Sequence, residues 1–153
     1  RRYCNEFLTT SNDLILLKNE LQTFIHGIEI DEKECFRCIK NLDKIAKEFG
    51  VYNVAWDVLN EDTLTVDKYN GNMDYVFGNP PYVRVHNLEE NYEDVKKYRF
   101  AKEGMTDLFI VFFEIGFRML NSTGLMCLIT PSSWLNSIAG NNLREYIFLN
   151  LNL

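Results

Sequence analysis

The run Asp74-Tyr75-Val76-Phe77-Gly78 has the apolar density of a buried strand, and Asn79-Pro80-Pro81-Tyr82 cuts it off. Neither proline has an N–H, so no β-ladder continues through them. The chain must leave its sheet at this point in a stiff, extended turn whose carbonyls have no ladder partners. The strand is also short and apolar throughout, without alternation, which fits a parallel sheet covered on both faces.

The rest of the chain fits the same frame. Ser11-Asn12-Asp13 offers a cap for a helix running through Leu14-Ile15-Leu16-Leu17 to Gln22. Phe24 to Ile30 reads as a short strand. Asp31 with Glu34 forms an acidic variant of the capping box. It opens a helix with Cys35, Cys38, Ile39, Leu42, Ile45, Ala46 and Phe49 on one face and Gly50 as its stop. Val51 to Trp56 is a second apolar run, ending at Asp57, and Asn70-Gly71-Asn72 signals a turn. Residues 83–105 are charged, aromatic and poorly periodic, which predicts a long loop with one short helix. Asp107 to Asn121 is the clearest helix, with Asp107, Glu114, Arg118 and Asn121 as its polar stripe. Leu125 to Thr130 is a fourth strand, ended by Pro131, and a last helix spans Ile138 to Phe148.

Short apolar strands alternating with helices predict an α/β fold with a doubly wound, mostly parallel sheet. The 153 residues suffice for one such core. Ligands of these folds bind beyond the carboxyl ends of the strands. There the sequence sets one polar residue or turn per strand: Glu29, Asp57, Asn79 and Pro131-Ser132-Ser133.

Several classes are excluded. The longest apolar run, Leu108 to Leu120, is broken by Glu114 and Arg118, so no membrane span is expected. No signal-peptide core follows Arg1-Arg2-Tyr3, and a soluble, cytoplasmic protein is the expectation. Cys35 and Cys38 form a C-x-x-C without a second pair, and His26 and His86 stand far apart. Cysteines on an apolar helix face act as small hydrophobes, so no metal site is expected. The net charge is −6, from 16 basic and 22 acidic residues. A self-sufficient duplex-binding surface carries a basic excess. Either the substrate is not nucleic acid, or its basic groove lies outside this segment.

The turn at residues 79–82 suits one kind of chemistry. The Asn79 side-chain oxygen and the Pro80 carbonyl can accept two hydrogen bonds from a planar –NH₂, with Tyr82 just beyond to stack on the ring bearing it. An amine conjugated to an aromatic ring is a poor nucleophile. Two acceptors on its N–H groups favour a pyramidal nitrogen and concentrate the lone pair, so catalysis rests on positioning and preorganised dipoles.

Four segments, in order, carry a resemblance: Gly27-Ile28-Glu29-Ile30-Asp31, Trp56-Asp57-Val58-Leu59, Asp74 through Arg84 with the Asn-Pro-Pro-Tyr turn, and Gly104-Met105-Thr106-Asp107-Leu108-Phe109. With Ile129-Thr130-Pro131-Ser132-Ser133-Trp134-Leu135 closing the last strand, residues 24–140 are covered. They resemble the Rossmann-like S-adenosylmethionine-dependent amino-methyltransferases, and among these the N6-adenine DNA methyltransferases related to type IIG restriction-modification enzymes. The resemblance implies S-adenosylmethionine as cofactor. Glu29 would accept from its ribose hydroxyls and Asp57 from its adenine amino group, with Ile30, Val58 and Phe112 lining the pocket. Asn79, Pro80, Pro81 and Tyr82 would hold and stack an adenine flipped out of double-stranded DNA. Asp107 reads as a helix cap.

The resemblance also implies a glycine-rich cofactor loop and a target-recognition domain. Neither is visible, since the first glycine is Gly27. Residues 1–153 therefore read as part of a methyltransferase domain, inactive by itself, whose full protein contacts DNA through other regions and has a fused or associated restriction nuclease. Two alternatives stand. Glutamine N5-methyltransferases acting on release factors grip a side-chain amide with the same turn and suit an acidic chain. A non-catalytic scaffold would keep the fold and lack the glycine loop.

Overall fold

The computed structural model describes residues 1–85, 92–102 and 106–150, in two compact units, Arg1–Thr63 and Leu64–Leu153. His86, Gly104 and Met105, singled out above, lie outside the described residues.

The first unit runs α1 (Arg2–Thr10), α2 (Leu14–Phe24), β1 (His26–Ile28), α3 (Glu32–Glu48) and β2 (Asp57–Leu59). Both helices expected here start where their caps predict. The Asp13 carboxylate accepts from the Ile15 and Leu16 amides, and Asp31 accepts from those of Lys33 and Glu34. Each aspartate satisfies two of the amides that a helix N-terminus leaves without partners. Gly50, at φ +76°, takes the left-handed conformation that stops α3. Leu17, Leu21, Ala46, Val51, Val54 and Cys4 form the core, with Phe7, Leu8, Ile25, Phe49 and Trp56 packed around it. Burying a leucine such as Leu17 contributes about 1.5–3 kcal/mol.

Two expectations for this unit are corrected. Val51 to Trp56 is not a strand. Asn53 sits at φ 54°, which breaks an extended run, and Val51 and Val54 turn inward to the helices. The strand starts at Asp57, so Asp57 stands at its amino end and not its carboxyl end. Cys38 is exposed although Cys35 is buried, so the apolar face of α3 is narrower than the spacing suggests.

The second unit runs β3 (Met73–Gly78), α4 (Tyr92–Lys96), α5 (Leu108–Met119), β4 (Leu120–Leu128) and α6 (Asn141–Asn150), with single 3-10 turns at Arg99–Ala101, Ser132–Leu135 and Ile138–Gly140. β3 and β4 pair in parallel, Tyr75 opposite Leu125 and Phe77 opposite Cys127, with a register shift between Met73 and Tyr75. Parallel pairing requires a long crossover, and residues 79–119 supply it. β4 begins five residues before the predicted start, directly after α5. Gly116 of α5 comes so close to the sheet that a Cβ there would collide with the Met126 sulfur. Phe100, Phe109, Ile110, Phe113 and Leu143 form the core beside Met126, Leu128 and Trp134.

Three further readings are corrected in this unit. Glu114, assigned to the polar stripe, is buried. Its carboxylate accepts from the Phe100 amide (2.9 Å) and from Arg118 (2.5 Å), partners that pay for taking a charge out of water. Asp107 occupies the N-cap position of α5 but makes no side-chain capping bond. The pair β3–β4 is covered by α5 on one face, while Tyr75, Phe77, Leu125 and Ile129 remain exposed. The sequence had implied cover on both faces.

Together the described residues form an α/β fold with a small parallel sheet in each unit. No helix among them is long and apolar enough to cross a membrane.

Candidate functional site

In the second unit, β3 ends at Gly78, whose carbonyl still accepts from the Ile129 amide at 2.9 Å. That is the last rung, and the prolines then take the chain away, as their missing N–H groups require. Pro80 is buried and anchors the turn, while Asn79, Pro81 and Tyr82 are exposed. Beyond the turn the chain is pinned to the start of α5. The Leu108 amide donates to the Val83 carbonyl (2.7 Å), the Val85 amide donates to Thr106 (2.9 Å), and Arg84 and Asp107 form an antiparallel bridge. Proline stiffness on one side and these bonds on the other fix where Asn79 presents its side chain.

Tyr82 lies edge-on to Phe109, with ring centroids 6.4 Å apart and planes at 89°. Its hydroxyl donates to Asn79 Oδ1 at 2.7 Å and lies 3.1 Å from the Ile129 carbonyl oxygen. The structure thus brings Asn79 and Tyr82 into direct contact. Phe112, the remaining predicted residue of this unit, is half-buried on α5.

In the first unit, β1 and β2 pair with His26 opposite Asp57, Gly27 opposite Val58 and Ile28 opposite Leu59. Glu29 follows the carboxyl end of β1. Its amide donates to the Leu59 carbonyl at 3.0 Å, and its Oε1 accepts from the Asp31 amide at 2.9 Å. Ile30 is exposed, so an acceptor and an apolar surface stand side by side. Asp57 lies three rungs back, about 10 Å along the ladder at the usual strand rise. Its Oδ2 is 2.8 Å from His26 Nδ1, and both side chains are mostly buried. Glu29 and Asp57 therefore share a ladder but not an end of it, and Val58 is half-buried between them.

Sequence reasoning missed two residues here. Asn60 stands at the carboxyl end of β2, the place assigned to Asp57, and its Nδ2 donates to the carbonyls of Glu29 (2.9 Å) and Ile30 (3.0 Å). A polar residue straight after Val58-Leu59 was the available signal. His26 carried no such signal, because its bond to Asp57 depends on a strand register that no local pattern encodes. The Cys38 thiol, exposed but partly desolvated by its neighbours, is pushed up from its ordinary value first by that desolvation and then by Cys35 and Glu29. The thiolate, the form that binds metals or attacks, is thereby disfavoured.

Parallel ladders flanked by helices, with acceptor-bearing turns where strands end, define an α/β protein with polar groups beyond the carboxyl ends of its strands. Comparison with known proteins narrows this. The sequence profile of the Eco57I restriction-modification methylases matches residues 5–153, and the chain belongs to that family. It is similar to the type II methyltransferase M.BstVI of Geobacillus stearothermophilus, 31% identical over 90 residues, covering 57% of this chain and 15% of that protein. It is also similar to the modification methylase CviBIII of Paramecium bursaria Chlorella virus NC1A, 29% identical over 124 residues, covering 80% of this chain and 28% of that one. The chain thus spans less than a third of either relative.

Proposed function

We propose that residues 1–153 are part of the Rossmann-like methyltransferase domain of a site-specific DNA-modifying enzyme that methylates adenine N6 with S-adenosylmethionine. The carrying observation is the Asn79-Pro80-Pro81-Tyr82 turn, set at the carboxyl end of β3 in a member of a restriction-modification methylase family. The small share of each relative covered supports assigning the glycine-rich cofactor loop, the target-recognition region and any associated nuclease to other sequence.

The residues present suit this cofactor. Glu29 offers a carboxylate acceptor beside the exposed apolar Ile30, the combination that a ribose diol and an adenine face need. In this reading Glu29 accepts from the ribose hydroxyls and Ile30 and Val58 make apolar contact, whereas Asp57, at the amino end of β2 and bonded to His26, stands away from that strand end. S-adenosylmethionine supplies an electrophilic methyl when bound. Asn79 Oδ1 and the Pro80 carbonyl accept from the two N–H groups of the target amine and favour its pyramidal form. Pro80 and Pro81 keep those acceptors rigid, so little reorganisation accompanies the reaction. Tyr82 stacks on the flipped base, worth about 1–3 kcal/mol.

The test is tritiated methyl transfer to duplex DNA by the full-length protein, with the product nucleoside identified. Asn79→Ala is expected to cut the rate by about 10²-fold or more, the usual loss for one preorganised polar contact. Transfer that survives Asn79→Ala overturns the mechanism. Label found in a release-factor glutamine, and not in adenine, overturns the substrate.

A further inference from the structure

Asn79 Oδ1, the atom assigned above to a base amine, already has a donor in the Tyr82 hydroxyl at 2.7 Å. A phenol has one proton. The Ile129 carbonyl at 3.1 Å is the more distant of its two acceptors, so the stronger bond goes to Asn79. The ring is held lightly otherwise. Phe109, in the core at 1% exposure, meets it through an edge contact, and Tyr82 itself is 54% exposed. A side chain tied by its hydroxyl and one ring edge can turn about χ1 once that hydroxyl bond is given up.

Resting on the reading that Asn79 grips an adenine amine, we propose that the Tyr82 hydroxyl is a stand-in for that amine. Before the base arrives it donates to Asn79 Oδ1, which turns the carboxamide oxygen, and not its NH₂, toward the site. An incoming N6–H takes the same acceptor, and the released tyrosine ring is then available to stack. The exchange sets how sharply the site discriminates. A base with a 6-amino group repays the lost hydroxyl bond, whereas one without it must either leave that bond intact or strand the acceptor. The stand-in lowers the cost of an unproductive base and offsets part of the gain from adenine, so it moderates the discrimination that Asn79 provides.

The test compares equilibrium binding of two duplexes by the full-length protein with a non-reactive cofactor analogue bound. One duplex carries adenine at the methylated position; the other carries purine, which lacks the 6-amino group. Tyr82→Phe keeps the ring and removes only the hydroxyl. The expected result is that the variant prefers adenine over purine by about three- to tenfold more than the parent does, the range for one exposed neutral hydrogen bond. Both Kd values come from one preparation, so the ratio does not depend on the folded fraction. Equal weakening of both duplexes means that the hydroxyl only props the turn, and overturns the proposal. A reduced preference for adenine means that the hydroxyl serves the bound state, and also overturns it. A parent protein indifferent between the two bases has a different signature: there the assignment of Asn79 to an adenine amine itself fails.

Discussion

Glu114 gives the sharpest test of the packing in the second unit. Its carboxylate accepts from the Phe100 amide at 2.9 Å and from Arg118 at 2.5 Å. Phe100 is 2% exposed and central to the aromatic core, so its amide has no ready water in exchange. Glu114→Ala strands that N–H, at about 1–3 kcal/mol. The lost pairing with Arg118 adds about 0–1 kcal/mol, because the arginine is 46% exposed and screened by solvent. The expected total is about 1–4 kcal/mol. With a urea m-value of about 2 kcal/mol/M, the midpoint falls by about 0.5–2 M. Glu114→Gln keeps an acceptor for Phe100 and gives up only the charge, so its cost is about 1 kcal/mol. Trp134 packs against Phe113 and reports unfolding of this unit by fluorescence, once Trp56 of the other unit is replaced by Phe. Equal destabilisation by Gln and Ala would refute the reasoning, because charge and not the stranded amide would then dominate. So would an Ala midpoint within about 0.3 M of the parent, a shift too small for a stranded amide at that m-value.

Three other outcomes are expected. Asp31→Ala removes the acceptor for the Lys33 and Glu34 amides and should cost about 1 kcal/mol, read as a lower urea midpoint followed through Trp56, which bonds to Asp43 of α3. Gly140→Ala sets a Cβ against the Trp134 carbonyl, where Arg144 also bonds, and should destabilise by about 1–3 kcal/mol; unchanged thermal unfolding would contradict that crowding. The Tyr3 hydroxyl is pushed up to about 12, first by burial and then by its bond to Glu20. A raised folded-state value means stability fully present below the unfolded value near 10 and lost as pH rises through 12. Absorbance at 295 nm should therefore show a late-titrating tyrosine that Tyr3→Phe removes.

Local chemistry made much of this molecule legible. Asp13 and Asp31 announce helix starts because their carboxylates reach amides only two and three residues away. Gly50 and Gly71 take the left-handed conformations expected of them, and the prolines at 80 and 81 end β3 on schedule. What escaped depends on distant partners. Val51 to Trp56 has a strand's composition, but Val51 and Val54 turn into the core with α1 and α2 while Tyr52 and Asn53 stay exposed. Glu114 falls on the polar stripe by periodicity, and only the approach of Phe100, fourteen residues upstream, makes it an interior residue. Asn121 falls on the polar stripe of the helix by periodicity and is strand together with Ser122 to Gly124, with Gly124 allowing close approach to the Met73 carbonyl. In the candidate site, residue types were readable around Asn79, whereas the Tyr82–Asn79 bond and the His26–Asp57 pair required coordinates.

The bonds joining Val83 to Leu108 and Val85 to Thr106 form a stem, and the stem bears on how much the chain can lengthen here. The chain between those points is an excursion closed at its base. Lengthening a closed excursion costs only about 0.6 kcal/mol per doubling, so insertions there come at small thermodynamic expense. The turn at Asn79 lies on the other side of the stem and is held by its own prolines. Variation in the length of that excursion is thereby separated from the geometry of the Asn79 turn.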